Sequence, residues 1–273
     1  MPKHVSTSLV VQGNPLVEAR YRLPLLAQQV LKLLMSMIES DTTNIDREFY
    51  QIDVARFGKA IKRRETSALK EELTRIAEIL MKTPVLIRTE KGFIKTVWIQ
   101  AYRYHNNEGR IDFLFSKLLN PFLIELKKRF TQYRLDNIFR LDSQYSIRIY
   151  ELIRQYVNIG FRTIPLDELK AILGVGKKEY EDYRDFRKRV LDVACKNINA
   201  KTDLRYSWEP VKEKKRVIAI RFYDIVTPNK ATDSPSQNTP SKNEIREATA
   251  KVDALTGVLG RRLESPYKNT RCL

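Results

Sequence analysis

Histidine and cysteine are scarce in this sequence of 273 residues, which contains two of each. The two histidines, His4 and His105, are far apart along the chain, and no His-x-x-x-His or Cys-x-x-Cys pair occurs. Zinc sites and metal-dependent nucleases usually contain ligand pairs of this kind. We therefore expect no metal site, no cofactor, and no nicking or cleaving enzyme that depends on paired histidines.

Motifs for nucleotide hydrolysis and strand transfer are missing as well. Gly174 and Gly176 in the segment LGVGKKEY lack the rest of a phosphate-binding loop. His105 is followed by Asn-Asn-Glu, whereas a tyrosine recombinase needs His-x-x-Arg. Most carboxylates alternate with Lys and Arg, a pattern typical of solvated ion pairs on helices. We predict that the protein is not an enzyme.

Two cysteines, Cys195 and Cys272, are too few for a disulfide framework, as expected in a reducing compartment. No apolar run approaches the roughly 20 residues of a membrane span. The first 20 residues also lack the apolar block of a signal peptide. These features predict a cytoplasmic protein without a membrane partner.

Positive charge is what the sequence has in excess. Lys and Arg number 50 against 33 Asp and Glu, a formal net charge of +17. Such an excess attracts polyanions and favours nucleic acid or an anionic membrane as the partner, although a generally basic soluble protein has the same composition. The 42% of hydrophobic residues suffice for two modest cores.

The first half of the chain has the order of elements of a winged helix. Helical spacing of apolar residues predicts a helix over 25–38, and a leucine stripe this short is more typical of a core than of a dimer zipper. A strand and a short helix follow, with Asp53 as the expected N-cap. An amphipathic helix over 65–81 then leads into β-rich runs at 85–88, 95–104 and 111–115, which are separated by turn sequences at 90–92 and 106–109.

The second half repeats this order. It begins with a helix over 142–156 that opens on Asp142 or Ser143, followed by a short strand at 162–164 and a helix near Pro165. A long helix over 183–199 comes next, and two strands at 204–211 and 216–226 enclose a basic turn. The residues that we expect on the buried side of the long helix are Phe186, Val190, Val193, Ala194 and Ile198.

These patterns predict an α+β protein of two tandem winged-helix domains with a disordered C-terminal tail. The expected order is a flexible arm (1–13), a first domain (14–130), a linker (131–141), a second domain (142–226) and the tail (227–273). The tail is assigned because its first part is rich in Pro, Ser, Thr and Asn and almost without large apolar residues.

The second domain carries the clearer candidate DNA-binding surface. The second helix of a helix-turn-helix enters the major groove, so its solvent face should be polar and positive. Between residues 177 and 221 there are 14 basic and 8 acidic residues. A solvated charged helix would look similar by itself, but the adjacent basic wing favours DNA binding. The predicted contacts are Arg184, Arg187, Lys188, Arg189, Lys196 and Asn199 on the helix, and Lys212, Lys214, Lys215 and Arg216 on the wing.

The first domain gives a weaker signal. Its helix is expected to present Arg64, Ser67 and Arg75 to DNA, although the mixed charge around them also fits an ordinary surface. The hairpin over 97–115 is rich in aromatic and β-branched residues. From sequence it is equally a dimerisation edge or a strand pair packed on its own core.

The second half resembles the iteron-binding plasmid replication initiators. The resemblance is carried by Arg189-Val190-Leu191, by the stretch from Ile198 to Leu204 with Thr202-Asp203-Leu204, and by Trp208-Glu209 before the Lys/Arg-rich wing. The first half resembles the family more loosely, through NPLVEARYRLPLLAQQVL and LLNPFLIELKKRFTQYRLDNIFRL.

The resemblance implies a function that the residues alone do not. Such initiators bind directly repeated origin sites as monomers, help to open adjacent DNA, and recruit the host initiator and replicative helicase. Their dimers bind an inverted repeat in their own promoter and repress it, so a monomer–dimer equilibrium is implied. A winged-helix transcriptional repressor without initiator activity remains the alternative.

Overall fold

The computed structural model describes residues 8–38, 49–61, 67–105, 108–124, 130–176 and 178–228. The helices are α1 Asn14–Val17, α2 Leu25–Met35, α3 Val54–Ala60, α4 Ser67–Lys82, α5 Asn120–Leu123, α6 Leu135–Phe139, α7 Gln144–Arg154, α8 Leu166–Ile172, α9 Tyr183–Phe186 and α10 Asp192–Lys201, with a 3-10 turn at Lys117–Leu119 and a π-turn at Arg187–Leu191. The strands are β1 Leu9–Gly13, β2 Tyr50–Asp53, β3 Pro84–Thr89, β4 Gly92–Val97, β5 Ile99–His105, β6 Arg110–Phe115, β7 Phe130–Arg134, β8 Arg162–Pro165, β9 Arg205–Glu213 and β10 Arg216–Val226.

The first module is a winged helix formed by α2, β2, α3, α4, β5 and β6. Its sheet has the order β2-β6-β5, with antiparallel pairing throughout. Asp53 accepts a hydrogen bond from the Arg56 backbone N–H at 2.7 Å and caps α3, as predicted. The β5–β6 hairpin is the wing of this module.

An extra hairpin, β3–β4, lies between α4 and β5. The single β-rich run predicted over 95–104 is two strands, because the chain breaks its pairing at Trp98. The Trp98 side chain is fully buried and its backbone N–H donates to the Leu80 carbonyl at the end of α4. Burial of this large ring separates β4, which pairs with β3, from β5, which pairs with β6.

The second module repeats the topology with α7, β8, α8, the helical segment 183–201, β9 and β10. Its sheet order, β8-β10-β9, matches that of the first module. Ser143 caps α7 by accepting from the Tyr145 N–H, one of the two predicted caps. The prediction of two tandem winged helices is therefore confirmed.

The predicted flexible arm and linker are wrong in part. Residues 9–13 form β1, which pairs antiparallel with β7, and the Val10 and Gln12 side chains are fully buried. Residues 131–141, expected as a linker, contain most of β7 and all of α6. The pairing partners are about 120 residues apart, so local composition does not reveal them. Residues 1–7 and almost all of the predicted disordered tail, from residue 229 on, lie outside the described residues.

The helix α2 belongs to the core. Residues from Ala27 to Met35 are buried, including the side chains of Leu31 and Leu34. This confirms the interpretation of the leucine stripe as part of the core. The buried leucines are not available to form a dimer zipper.

The two modules contact one another through the segment between α1 and α2. Arg22 Nη1 donates to both carboxylate oxygens of Glu179, at 2.8 and 2.9 Å, and Glu18 pairs with Arg162 at 2.9 Å. Gly174 comes so close to this segment that an added Cβ atom would lie 2.5 Å from the Tyr21 carbonyl oxygen. These contacts join the two winged helices.

Candidate nucleic-acid interface

The last helix of the second module, which is in the position of the recognition helix of a winged helix, has three parts. We call residues 183–201 the recognition helix: it runs through α9, the π-turn at Arg187–Leu191 and α10 without a break. Asp182 caps it by accepting from the Arg184 N–H at 2.8 Å. A π-turn adds one residue to a helical turn and occurs frequently at functional sites.

The π-turn changes which residues face the core. Phe186, Val190, Ala194 and Ile198 are fully buried, as predicted. The prediction for Val193 is wrong, since this residue is 39% exposed. One extra residue per turn rotates everything after it by roughly 100° relative to a regular α-helix. Leu191 and Cys195 occupy the core face instead.

The basic residues of this helix are exposed on the opposite side. Arg187, Lys188 and Arg189 follow one another within the π-turn, and all three are exposed, as is Lys196 further along the helix. The ion pairs that Arg187 and Arg189 make with neighbouring carboxylates are long. Arg189 lies 3.9 Å from Asp185. Pairs of this kind between exposed groups contribute about 1 kcal/mol or less, so the cations can exchange them for phosphates or base edges.

Two of the arginines on this helix are oriented by neighbours. Arg187 pairs with Asp192 at 3.5 Å, and its guanidinium lies 5.9 Å from the centre of the Trp208 ring. Arg184 makes a 2.9 Å ion pair with Asp182, whose pKa is lowered by hydrogen bonds from the Arg184 side chain and backbone. The Arg184 side chain is nevertheless the most exposed of the paired arginines on this helix.

The structure gives Asn199 a different role from the predicted one. Its side-chain amide donates to the Tyr206 carbonyl at 2.8 Å, and its side-chain oxygen accepts from the Tyr206 N–H at 3.0 Å. Both ends of the amide therefore hold the start of β9 against α10. We leave Asn199 out of the candidate interface.

The wing of the second module ends in a tight basic turn. Glu213 and Arg216 are the last opposed residues in the register of β9 and β10, and Lys214 and Lys215 form the turn between them. Lys214 has a φ of 53°, a left-handed conformation that favours glycine. The predicted wing residues Lys212, Lys214, Lys215 and Arg216 are all exposed.

The corresponding surface of the first module is less positive. Arg75 is exposed on α4, whereas Arg64 and the Ser67 side chain lie outside the described residues. The helix α4 carries three basic and three acidic residues, and the recognition helix carries six basic and two acidic ones. Near the end of α4, Glu78 pairs with Lys82 at 2.6 Å and accepts from the Tyr102 hydroxyl, so part of this surface is neutralised.

Neither a metal centre nor a membrane span occurs in the part of the chain that the structure describes. Within those ranges, no group of three or more His, Cys, Asp or Glu side chains is placed to hold a metal ion. No helix among the described residues has the length and apolar character needed to cross a bilayer.

Comparison with known proteins extends these observations. Residues 9–154 match the family model described as "Initiator Replication protein, WH1", and residues 165–223 match "Initiator Rep protein, WH2". An Escherichia coli protein named "PI protein" is 30% identical over 145 residues, 47% of this chain and 48% of the relative. An Escherichia coli "Replication initiation protein" is 27% identical over 143 residues, 50% of this chain and 42% of the relative. The chain thus matches about half the length of these curated relatives.

A solved structure shares the fold over most of the chain. The crystal structure of a Pi initiator protein in complex with iteron DNA superposes with a TM-score of 0.68 and 21% identity, covering 82% of this chain and 99% of the other. The two family matches cover both winged helices in their observed order. The chain belongs to the initiator replication protein family.

Proposed function

We propose that this chain binds duplex DNA at directly repeated origin sites, or iterons, and so initiates replication of the plasmid that carries them. The observation that carries this proposal is the row of exposed cations on the recognition helix, together with the exposed basic wing turn of the same module. A second helix of this kind enters the major groove, where it reads base edges. The shared fold with an initiator solved on iteron DNA supports the same orientation here.

The exposed residues divide into two roles. Lys188, Arg189 and Lys196 lie on the solvent face of the recognition helix and supply hydrogen-bond donors to guanine edges or phosphates. The wing residues Lys212, Lys214, Lys215 and Arg216 neutralise phosphates beside the groove. Arg184 and Arg187 lie at the border of the face and add further backbone contacts.

The first module makes a smaller contribution. Its Arg75 is exposed on α4, and Arg64 and Ser67 are proposed as further contacts. Because α4 has equal numbers of basic and acidic residues, its share of the salt-dependent affinity should be small. The ion pairs Arg22–Glu179 and Glu18–Arg162 support a monomer that places both modules on one repeat.

Dimers would serve a second role, repression of the protein's own promoter at an inverted repeat. In the described sheet β2-β6-β5, β5 is an edge strand, and exposed Gln100 and Arg103 lie along it. An edge of this kind can pair with a second copy of the chain. The resulting monomer–dimer equilibrium would separate repression from initiation.

The remaining steps follow from the family. The bound protein would help to open adjacent DNA and recruit the host initiator and replicative helicase in the cytoplasm. The mechanism is binding and remodelling, with no bond made or broken and no cofactor.

Replication of a test plasmid distinguishes an initiator from a repressor. A plasmid whose sole origin is the repeated region should be maintained in cells that express the wild-type chain. It should be lost with Lys188→Ala/Arg189→Ala, whereas Lys117→Ala, an exposed lysine of the first module, should support replication. Repression of the promoter without plasmid maintenance would identify a transcriptional repressor and overturn the proposal.

A further inference from the structure

Val193 is an apolar side chain in the middle of the cationic face of the recognition helix. It is 39% exposed, and Lys196 lies three residues later on the same face. Arg189 lies in the preceding turn and is also exposed. The surface around Val193 therefore complements a polyanion, while Val193 itself offers a methyl surface.

This exposure is a consequence of the π-turn. A regular α-helix through residues 183–201 would bury Val193 beside Val190, as its spacing predicts. Burying a valine is favourable, and π-turns are rare in globular proteins. Single exposed apolar residues are common, so exposure alone decides nothing. Here a rare distortion turns a valine towards the same side as the DNA-binding cations.

We infer that Val193 contacts the C5-methyl group of a thymine in the major groove, and this inference rests on the proposed function. The thymine methyl is the apolar group that the major-groove edges of the base pairs display, and small apolar side chains contact it in DNA readers. Val193 has no hydrogen-bonding group in its side chain. It therefore distinguishes thymine from cytosine and uracil, which carry hydrogen at C5, by removing methyl surface from water.

The test begins with the wild-type chain of 273 residues and a pool of random duplexes, from which its preferred site is selected. Each thymine of that site is then replaced in turn by uracil, which removes the methyl group and leaves the pairing edge unchanged. For the wild type, one replacement should weaken binding about fourfold, since burial of one methylene-sized group contributes about 0.8 kcal/mol. The variant Val193→Ala lacks both γ-methyl groups and has a shorter reach, so it should lose most of its sensitivity to that same replacement.

Two further variants separate contact from folding. Val193→Thr keeps one methyl group at this position and should retain part of the discrimination. Val226→Ala changes a valine that is 50% exposed at the end of β10 and should discriminate as the wild type does. Unchanged thermal transitions in all three variants would show that the fold is intact.

The outcomes distinguish this inference from the proposed function. If no sequence is enriched from the random pool, the proposal of specific DNA binding itself is overturned. If a site is enriched but no uracil replacement separates the wild type from Val193→Ala, only the role of Val193 is overturned.

Discussion

The carboxylate of Glu151 on α7 lies 2.6 Å from the ammonium group of Lys32 on α2, and both side chains are buried. Arg148 binds the other carboxylate oxygen at 2.8 Å, and Gln12 and Tyr133 donate to the first. Burial raises the pKa of Glu151, but the two cations and the hydrogen bonds outweigh it and hold the pKa below its ordinary value of 4.5. This buried cluster ties β1, β7 and the first helix of each module together.

Glu151→Gln should destabilise the protein strongly. The glutamine has nearly the same shape, but it leaves Lys32 and Arg148 buried without a compensating charge. Breaking a buried ion pair in this way costs about 3–5 kcal/mol in the free energy of unfolding. Urea denaturation followed by circular dichroism measures the change.

The matched control is Glu209→Gln, which removes a half-exposed pair with Arg221 at 3.3 Å. It should change the free energy of unfolding by about 1 kcal/mol or less. Because the pKa of Glu151 is depressed in the folded state, its contribution is present at neutral pH and is lost as the pH falls through that pKa. The acid-induced loss of stability should be smaller in Glu151→Gln than in the wild type, and an equal loss in both proteins would contradict the assignment.

The contact between the modules predicts an unequal effect of two alanine substitutions. Gly174 has a φ of +67°, and a Cβ atom there would lie 2.5 Å from the Tyr21 carbonyl oxygen and 2.7 Å from the Arg22 Cβ. Gly160 has a φ of +85° with nothing within 4 Å of an added Cβ. Both substitutions therefore place alanine in a left-handed conformation, which costs about 1–2 kcal/mol.

Gly174→Ala should cost an additional amount of about 1–3 kcal/mol, since the backbone of the neighbouring module must shift. The difference between the two variants in urea denaturation measures the contact between modules. Equal destabilisation would mean that the modules do not pack as closely as the structure shows.

Local sequence predicted the elements of both winged helices well, because their caps and periodicities are local. Asp53 and Ser143 are polar residues directly before apolar-periodic segments, and each caps the helix that follows. The strand β1 was missed because its partner β7 is about 120 residues away. Nothing within residues 9–13 signals that distant pairing.

The sequence predicted the charged residues of the candidate site, but it did not predict the geometry of the helix that carries them. A regular helical wheel places Val193 in the core, and no local signal indicated the π-turn that exposes it. Asn199 resembled a base-reading residue because its position on the wheel is polar. Its amide is held by the Tyr206 backbone, an interaction that depends on how β9 returns to the helix.

The wing turn predicts a change in salt dependence. The combined variant Lys214→Gly/Lys215→Ala removes two charges, and glycine suits the φ of 53° at residue 214, so folding should be preserved. Affinity should fall by a similar factor for all DNA sequences, because binding to phosphates carries no sequence information. The slope of log affinity against log salt should decrease by about 0.9 for each phosphate that the variant no longer neutralises.

Fluorescence anisotropy over a salt series measures that slope. Lys117→Ala, which removes an exposed charge from the first module, should leave it unchanged. An unaltered slope in the wing variant would remove the wing from the interface.

Specific DNA binding through the recognition helix is tested most directly by the affinity of the 273-residue chain for its origin repeat and for a scrambled duplex at the same salt concentration. The wild type should prefer the repeat by about 10³-fold or more. Lys188→Ala/Arg189→Ala should lose a large part of that preference, since each good base contact contributes about 1–3 kcal/mol of discrimination. Equal affinity of the wild type for both duplexes, or full preference in the double variant, would contradict the account.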